Sequence, residues 1–124
     1  MSEDGPRRGE NASHGDGAIN QVRLRGRVSG APETRTLPSG DELVSLRLVV
    51  DRDAAARRRS RQLVDTIDCV AWRAAVRRSA LRLQDGDVVE VEGALRRRFQ
   101  RGAGGPRSWV SVELGRLRRV RADQ

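Results

Sequence analysis

An all-β barrel of five short strands, with one short helix between the third and fourth, is the fold class predicted by this sequence. Three observations predict it. Five stretches alternate apolar and polar residues with period two, as half-buried strands do. Turn-forming Gly, Pro and Asp residues separate them. Residues 73–83, between the third and fourth, replace the alternation with a different apolar spacing.

The elements follow in order. Residues 1–18 are polar and glycine-rich, carry Glu3, Asp4, Glu10 and Asp16 against Arg7 and Arg8, and show no period, so a disordered tail is expected. From Gln21 onward Val22, Leu24, Gly26 and Val28 share one face and Arg23, Arg25 and Arg27 the other: a first strand with an arginine ladder. The stretch SGAPETRTLPSGD reads as turn, through Gly30, Pro32, Pro38 and Gly40, and feeds a second strand on Val44, Leu46, Leu48 and Val50. DRDAAARRRSRQ interrupts the pattern with Arg57, Arg58, Arg59 and Arg61, which are expected on an exposed loop. A third strand then runs from Val64 to Trp72.

In residues 73–83, Ala74, Ala75, Ala80, Leu81 and Leu83 stand among arginines without period two, and Gln84-Asp85-Gly86-Asp87 supplies a stop: one short helix. Val89, Val91, Gly93 and Leu95 alternate in a fourth strand reaching Phe99. GAGGPR makes a loop, and Val110, Val112 and Leu114 mark the last strand. This order of elements is that of the five-stranded Greek-key OB barrel, although an unrelated small barrel or an α+β sheet shares it. Gly26 and Gly93, each inside a strand, are where such a barrel coils tightly or lets two backbones approach.

The whole-chain properties bound the function. At 124 residues and 13.7 kDa the chain is sized for one domain. It carries neither an apolar run long enough for a membrane helix nor a secretory pattern, so a cytoplasmic, nucleoid-associated protein without membrane contact is expected. Cys69, the lone cysteine, falls on the apolar parity of the third strand and reads as a buried, inert thiol. His14, the lone histidine, sits in the tail. Neither has a visible catalytic partner, no metal spacing is present, and no enzyme, metal or cofactor is expected. The 25 basic residues are all arginine against 17 acids, a net charge of +8. The N-terminal 18 residues contribute −2, so the remainder carries +10, and an anion-binding domain is favoured over a basic tail.

Several strings then resemble the bacterial single-stranded DNA-binding protein family in order and spacing. NQVRLRGRVSGAPETR is similar to the family's opening strand, with Asn20, Gly26, Pro32, Glu33 and Arg35. LPSGDELVSLRLVV is similar to the turn and strand that follow. DTIDCVAWRAA resembles the third strand ending in an aromatic, and LRLQDGDVVEVEGALRRR the helix end, the turn at Gly86 and a strand with Val91, Glu92, Gly93, Leu95 and Arg98. The resemblance spans the folded portion, read as an OB domain over residues 19–120 with a short end at 121–124. It implies an OB fold, homo-oligomerisation as a tetramer, and sequence-tolerant binding of single-stranded DNA in replication, recombination and repair.

Such binding needs cations that track phosphates and aromatic planes on which bases stack. Trp72 matches a base-stacking aromatic of the family and shares parity with Thr66, Asp68 and Val70, opposite Ile67, Cys69 and Ala71. Stacking is the expectation, with packing in the protein as its alternative. Phe99 lies near the family's hairpin tryptophan but has core parity unless a bulge turns it outward. Trp109 either stacks or packs. Two further stacking positions of the family match Thr66 and the aromatic-free stretch 51–61. Arginine planes can substitute in part. The candidates are Arg96, Arg98 and Arg101 beside Phe99, with Arg97 among them, the ladder Arg23, Arg25 and Arg27, and the cluster Arg57, Arg58, Arg59 and Arg61.

The chain ends RLRRVRADQ, where many family members carry a flexible tail with an acidic tip, so recruitment of repair proteins through that route is not expected. The alternative reading is an accessory OB subunit that acts mainly by assembling with another single-strand-binding protein or a primosome-like complex.

Overall fold

The computed structural model describes residues 17–121, and within them all side chains except those of residues 100–102. The N-terminal tail expected over residues 1–18 and the last three residues therefore lie almost wholly outside the described part. Six strands and two helices form in the order β1 (Val22–Val28), β2 (Glu33–Thr36), β3 (Glu42–Asp51), α1 (Ala54–Arg59), β4 (Val64–Ala71), α2 (Ala74–Leu81), β5 (Val88–Gly102) and β6 (Gly105–Arg119). Five of the strands close a barrel. β1 pairs β5, β5 pairs β6, β6 pairs β4, β4 pairs β3, and β3 returns to β1 at Arg27↔Val49 and Val28↔Leu48. All pairings are antiparallel except β4 with β6, which run parallel at Cys69↔Val112 and Val70↔Glu113.

The alternation that predicts the strands also fills the barrel. Val28, Val44, Leu46, Leu48, Cys69, Ala71, Val89, Val91, Val112 and Leu114 face inward as one cluster. Each fully buried Leu or Val contributes about 1.5–3 kcal/mol. Helix α2 lies between β4 and β5 in sequence and packs on β3, β4 and β6, adding Val76 and Ala80 to this core, with Leu83 just beyond it. Among the described residues, no helix is long and apolar enough to cross a membrane.

The two strand glycines are where the barrel bends. A Cβ at Gly26 would stand 2.6 Å from the Val49 carbonyl oxygen, at the point where β1 crosses onto β3. One at Gly93 would overlap the Glu113 carbonyl oxygen, and the β5–β6 register shifts between Glu92 and Gly93. Only a residue without a side chain lets these backbones meet.

Three expectations need correction. The stretch GAGGPR read as a loop is mostly strand, because β5 runs to Gly102 and β6 starts at Gly105. The stretch read wholly as turn contains β2, which pairs along β3 from Glu33↔Ser45 to Thr36↔Glu42. Its four residues are all exposed, so there is no apolar alternation to announce it. The arginine-rich stretch read as a loop contains α1, because the Asp53 carboxylate accepts a hydrogen bond from the Ala56 amide at 2.8 Å and caps a short run of alanine and arginine. Arg57, Arg58, Arg59 and Arg61 are exposed, as expected.

Candidate nucleic-acid interface

The outer face of the barrel follows from its inner one. Because Cys69 and Ala71 point inward, Asp68, Val70 and Trp72 turn the other way, and because Val44, Leu46 and Leu48 are buried, Ser45 and Arg47 face out. β5 and β6 then run on beyond the core as a long hairpin with Leu95, Arg96 and Arg97 exposed. On that hairpin Arg98 stands opposite Trp109 and Phe99 opposite Ser108.

These surfaces enclose a cleft of about 860 Å³, and Trp72, Phe99 and Trp109 all line it. They are the complete aromatic complement of the chain. Three aromatics from distant sequence positions thus converge on one depression, while a core made of Val, Leu, Ala and Cys contains none. Phe99 is 75% exposed, which resolves its two readings in favour of an outward ring. The cause is extension of the hairpin past the barrel, since the register shift at Gly93 lies well before it. Trp72 is half-buried and Trp109 exposed.

Cations surround the rings. Arg35, Arg47, Arg97 and Arg98 line the cleft against the carboxylates of Glu33 and Asp68, leaving it net positive. Arg47 Nε donates to Asp68 at 3.2 Å, and Arg35 reaches Glu33 at 4.0 Å. Arg97 donates to the Ser108 hydroxyl at 3.2 Å. The Arg98 guanidinium carbon sits 5.1 Å from the centre of the Trp72 ring. No described carboxylate is paired with Arg97 or Arg98, so both charges are available to an anion.

The other sequence-predicted cations lie elsewhere. Arg25 Nε donates to Glu90 at 2.9 Å, Arg118 donates to the same carboxylate at 2.8 Å, and Arg23 stands 3.9 Å from it. The Arg25 hydrogen bond, helped by the charges of Arg118 and Arg25, holds the Glu90 carboxyl below its ordinary range. Arg27 faces Asp51 at 3.4 Å. The strand-one ladder is therefore engaged with acids outside the aromatic cleft. Arg96 is turned to Glu113 at 2.8 Å. Arg57, Arg58 and Arg59 on α1, and Arg61 after it, are exposed and do not line the cleft. Arg101 belongs to β5, but its side chain is outside the described part.

The structure thus brings Trp72, Phe99, Trp109 and Arg98 together and leaves the ladder and the α1 cluster apart. It adds Arg35, Arg47 and Ser111, which sequence reasoning missed. Arg47 was within reach of parity, since it alternates with Leu46 and Leu48. The place of Arg35 depends on β2, which carries no periodic signal.

The model of the Single-strand binding protein family matches residues 19–120 of this chain. The chain belongs to that family. Its relatives include the single-stranded DNA-binding protein of Bacillus cereus, 33% identical over 96 residues that make up 77% of this chain and 56% of the relative. That of Deinococcus radiodurans is 36% identical over 80 residues, 64% of this chain and 26% of the relative. The chain spans about half the length of the first curated relatives it matches. Among solved structures, the single-stranded DNA-binding protein of Thermus aquaticus superposes with a TM-score of 0.62 at 30% identity, covering 88% of this chain and 44% of that one. A Plasmodium falciparum family member in complex with single-stranded DNA superposes with a TM-score of 0.73 at 19% identity, over 87% of this chain and 100% of that one. That last likeness is one of fold. The barrel is accordingly an OB fold, as the order of elements predicts.

Proposed function

We propose that the OB domain of residues 19–120 binds single-stranded DNA without marked sequence preference, stacking bases on Trp72, Phe99 and Trp109 and drawing phosphates to Arg35, Arg47, Arg97 and Arg98. One observation carries this reading: every aromatic side chain of the chain lines one net-positive cleft. Stacking on an aromatic face contributes about 1–3 kcal/mol per base and accepts any base, because each has a π-face. The arginines add attraction for any phosphate backbone. Neither element reads sequence, and neither does chemistry on the strand.

The exposed arginines of α1 and Arg61 extend the positive surface a longer strand can follow. The strand-one arginines, already facing Glu90 and Asp51, contribute less. Membership in the family supports protection of DNA during replication, recombination or repair in the cytoplasm, and assembly as a homotetramer.

Titration of intrinsic tryptophan fluorescence with a dT homopolymer over a range of salt concentrations tests the proposal. Four phosphate contacts in the cleft give a slope of log K against log salt of about −3, at roughly 0.7 per contact on a single strand. Saturable quenching with at least that slope, and much weaker binding of duplex, is the expected result. Single strands bound no better than duplex, or bound only in the presence of another protein, would overturn it.

A further inference from the structure

One residue of the cleft has a chemistry that stacking and phosphate attraction do not use. Ser111 is 2% exposed, lines the cleft, and its hydroxyl has no hydrogen-bond partner among the described residues. A hydroxyl removed from water without a partner carries its full desolvation cost, so native proteins rarely leave one that way without a reason. Its position is specific. On β6 it follows Trp109 by two residues, on the same side of the strand, and precedes Gly115, whose carbonyl accepts from Arg73, the residue after Trp72. It lines the same cleft as the two tryptophans. Its cross-strand neighbour Arg96 is turned to Glu113, and Arg98, on the next rung of the same face, is laid over the Trp72 ring.

We infer that the Ser111 hydroxyl, which is covered in the free protein, is exposed when side chains of the cleft move aside for DNA, and that it then forms a hydrogen-bonding subsite for the edge of a nucleobase stacked there. The inference rests on the proposed binding of single-stranded DNA. The Arg98 guanidinium, itself a flat plane, lies over the Trp72 ring as a stacked base would, and Ser111 lines the same cleft. A buried neutral hydroxyl suits a neutral base edge better than a hydrated phosphate. A hydroxyl also both donates and accepts, so it pairs with a base carbonyl or a base amino group alike, and the contact adds affinity without imposing a sequence.

The test compares the wild type with Ser111→Ala and Ser111→Cys in the full chain. It uses a dT oligonucleotide and an abasic oligonucleotide of equal length, and it records the thermal midpoint of each free protein. Both variants are expected to bind dT about three- to tenfold more weakly, the effect of one neutral hydrogen bond, and to bind the abasic strand as the wild type does. Ser111→Ala should melt no lower than the wild type, because it removes an unpartnered polar atom. Cysteine is larger than serine and alanine smaller, so a loss shared by both follows the hydroxyl and not the volume. Unchanged dT binding in both variants overturns the inference and leaves the proposed function standing. Equal losses on dT and the abasic strand also overturn it, by assigning Ser111 to the backbone. Wild-type protein that binds neither strand overturns both readings.

Discussion

The guanidinium of Arg98 lies over the indole of Trp72, 5.1 Å from carbon to ring centre, although Trp72 just follows β4 and Arg98 lies on β5, on either side of α2. In the proposed binding mode the pair joins the two kinds of contact a single strand needs, and the two residues should fail differently. Trp72→Ala is expected to weaken dT binding roughly 5- to 150-fold, the range of about 1–3 kcal/mol for one stacking platform, with the salt slope unchanged. Arg98→Ala is expected to lower the magnitude of the slope by about 0.7, the signature of one lost phosphate contact. Fluorescence anisotropy at four or five salt concentrations separates the two.

Backbone contact at the strand glycines predicts a stability effect that needs no DNA. Gly93→Ala sets a Cβ against the Glu113 carbonyl, and Gly26→Ala sets one 2.6 Å from the Val49 carbonyl. Neither neighbour is a flexible side-chain end that can swing away. Each substitution should cost roughly 2–4 kcal/mol in urea unfolding. Alanine at Gly104, which has open space around it, should leave the midpoint nearly unchanged.

Glu90 makes stability depend on pH in a direction its partners fix. Its folded pKa is lowered by the Arg25 hydrogen bond and by the charges of Arg118 and Arg25, so the unfolded chain binds the proton more readily. The stabilisation is present above the ordinary glutamate range near 4.5 and fades as pH falls through the lowered value. Wild type should therefore melt above Glu90→Gln at pH 7, and the gap should close on acidification. High salt should narrow it as well.

Cys69 should be silent in the native state. It is fully buried, and burial, followed by the nearby Asp68 charge, pushes its thiol up to about 12. At pH 8 the folded protein should react with an aromatic disulfide reagent only as fast as it opens, and at once in denaturant. Prompt labelling of native protein would show that β4 is not packed as described.

Much of this was legible in the sequence, and the parts that were not share a physical cause. Val28, Leu48, Val91 and Leu114 alternate because one face of each strand is dry, and that period reveals the barrel. β2 buries none of its four residues and α1 none of its six, so neither leaves an apolar imprint. Asp53 as a cap and the alanine run after it were the cues to α1. The engagement of Arg25 with Glu90 depends on β1 lying beside β5, a long-range pairing that alternation cannot reveal. The same holds for the cleft: Trp72 was legible as a stacking candidate, but its meeting with Phe99 and Trp109 required the β5–β6 hairpin to rise beside the end of β4.

Both tryptophans are proposed to belong to one DNA-binding cleft. Because the chain has only two, Trp109→Phe and Trp72→Phe each leave a single reporter. Titrating both variants with a dT oligonucleotide while following anisotropy of the labelled strand should quench Trp72 and Trp109 together, saturating at the same stoichiometry as binding. Binding by anisotropy with neither tryptophan quenched would place the DNA path elsewhere on the barrel.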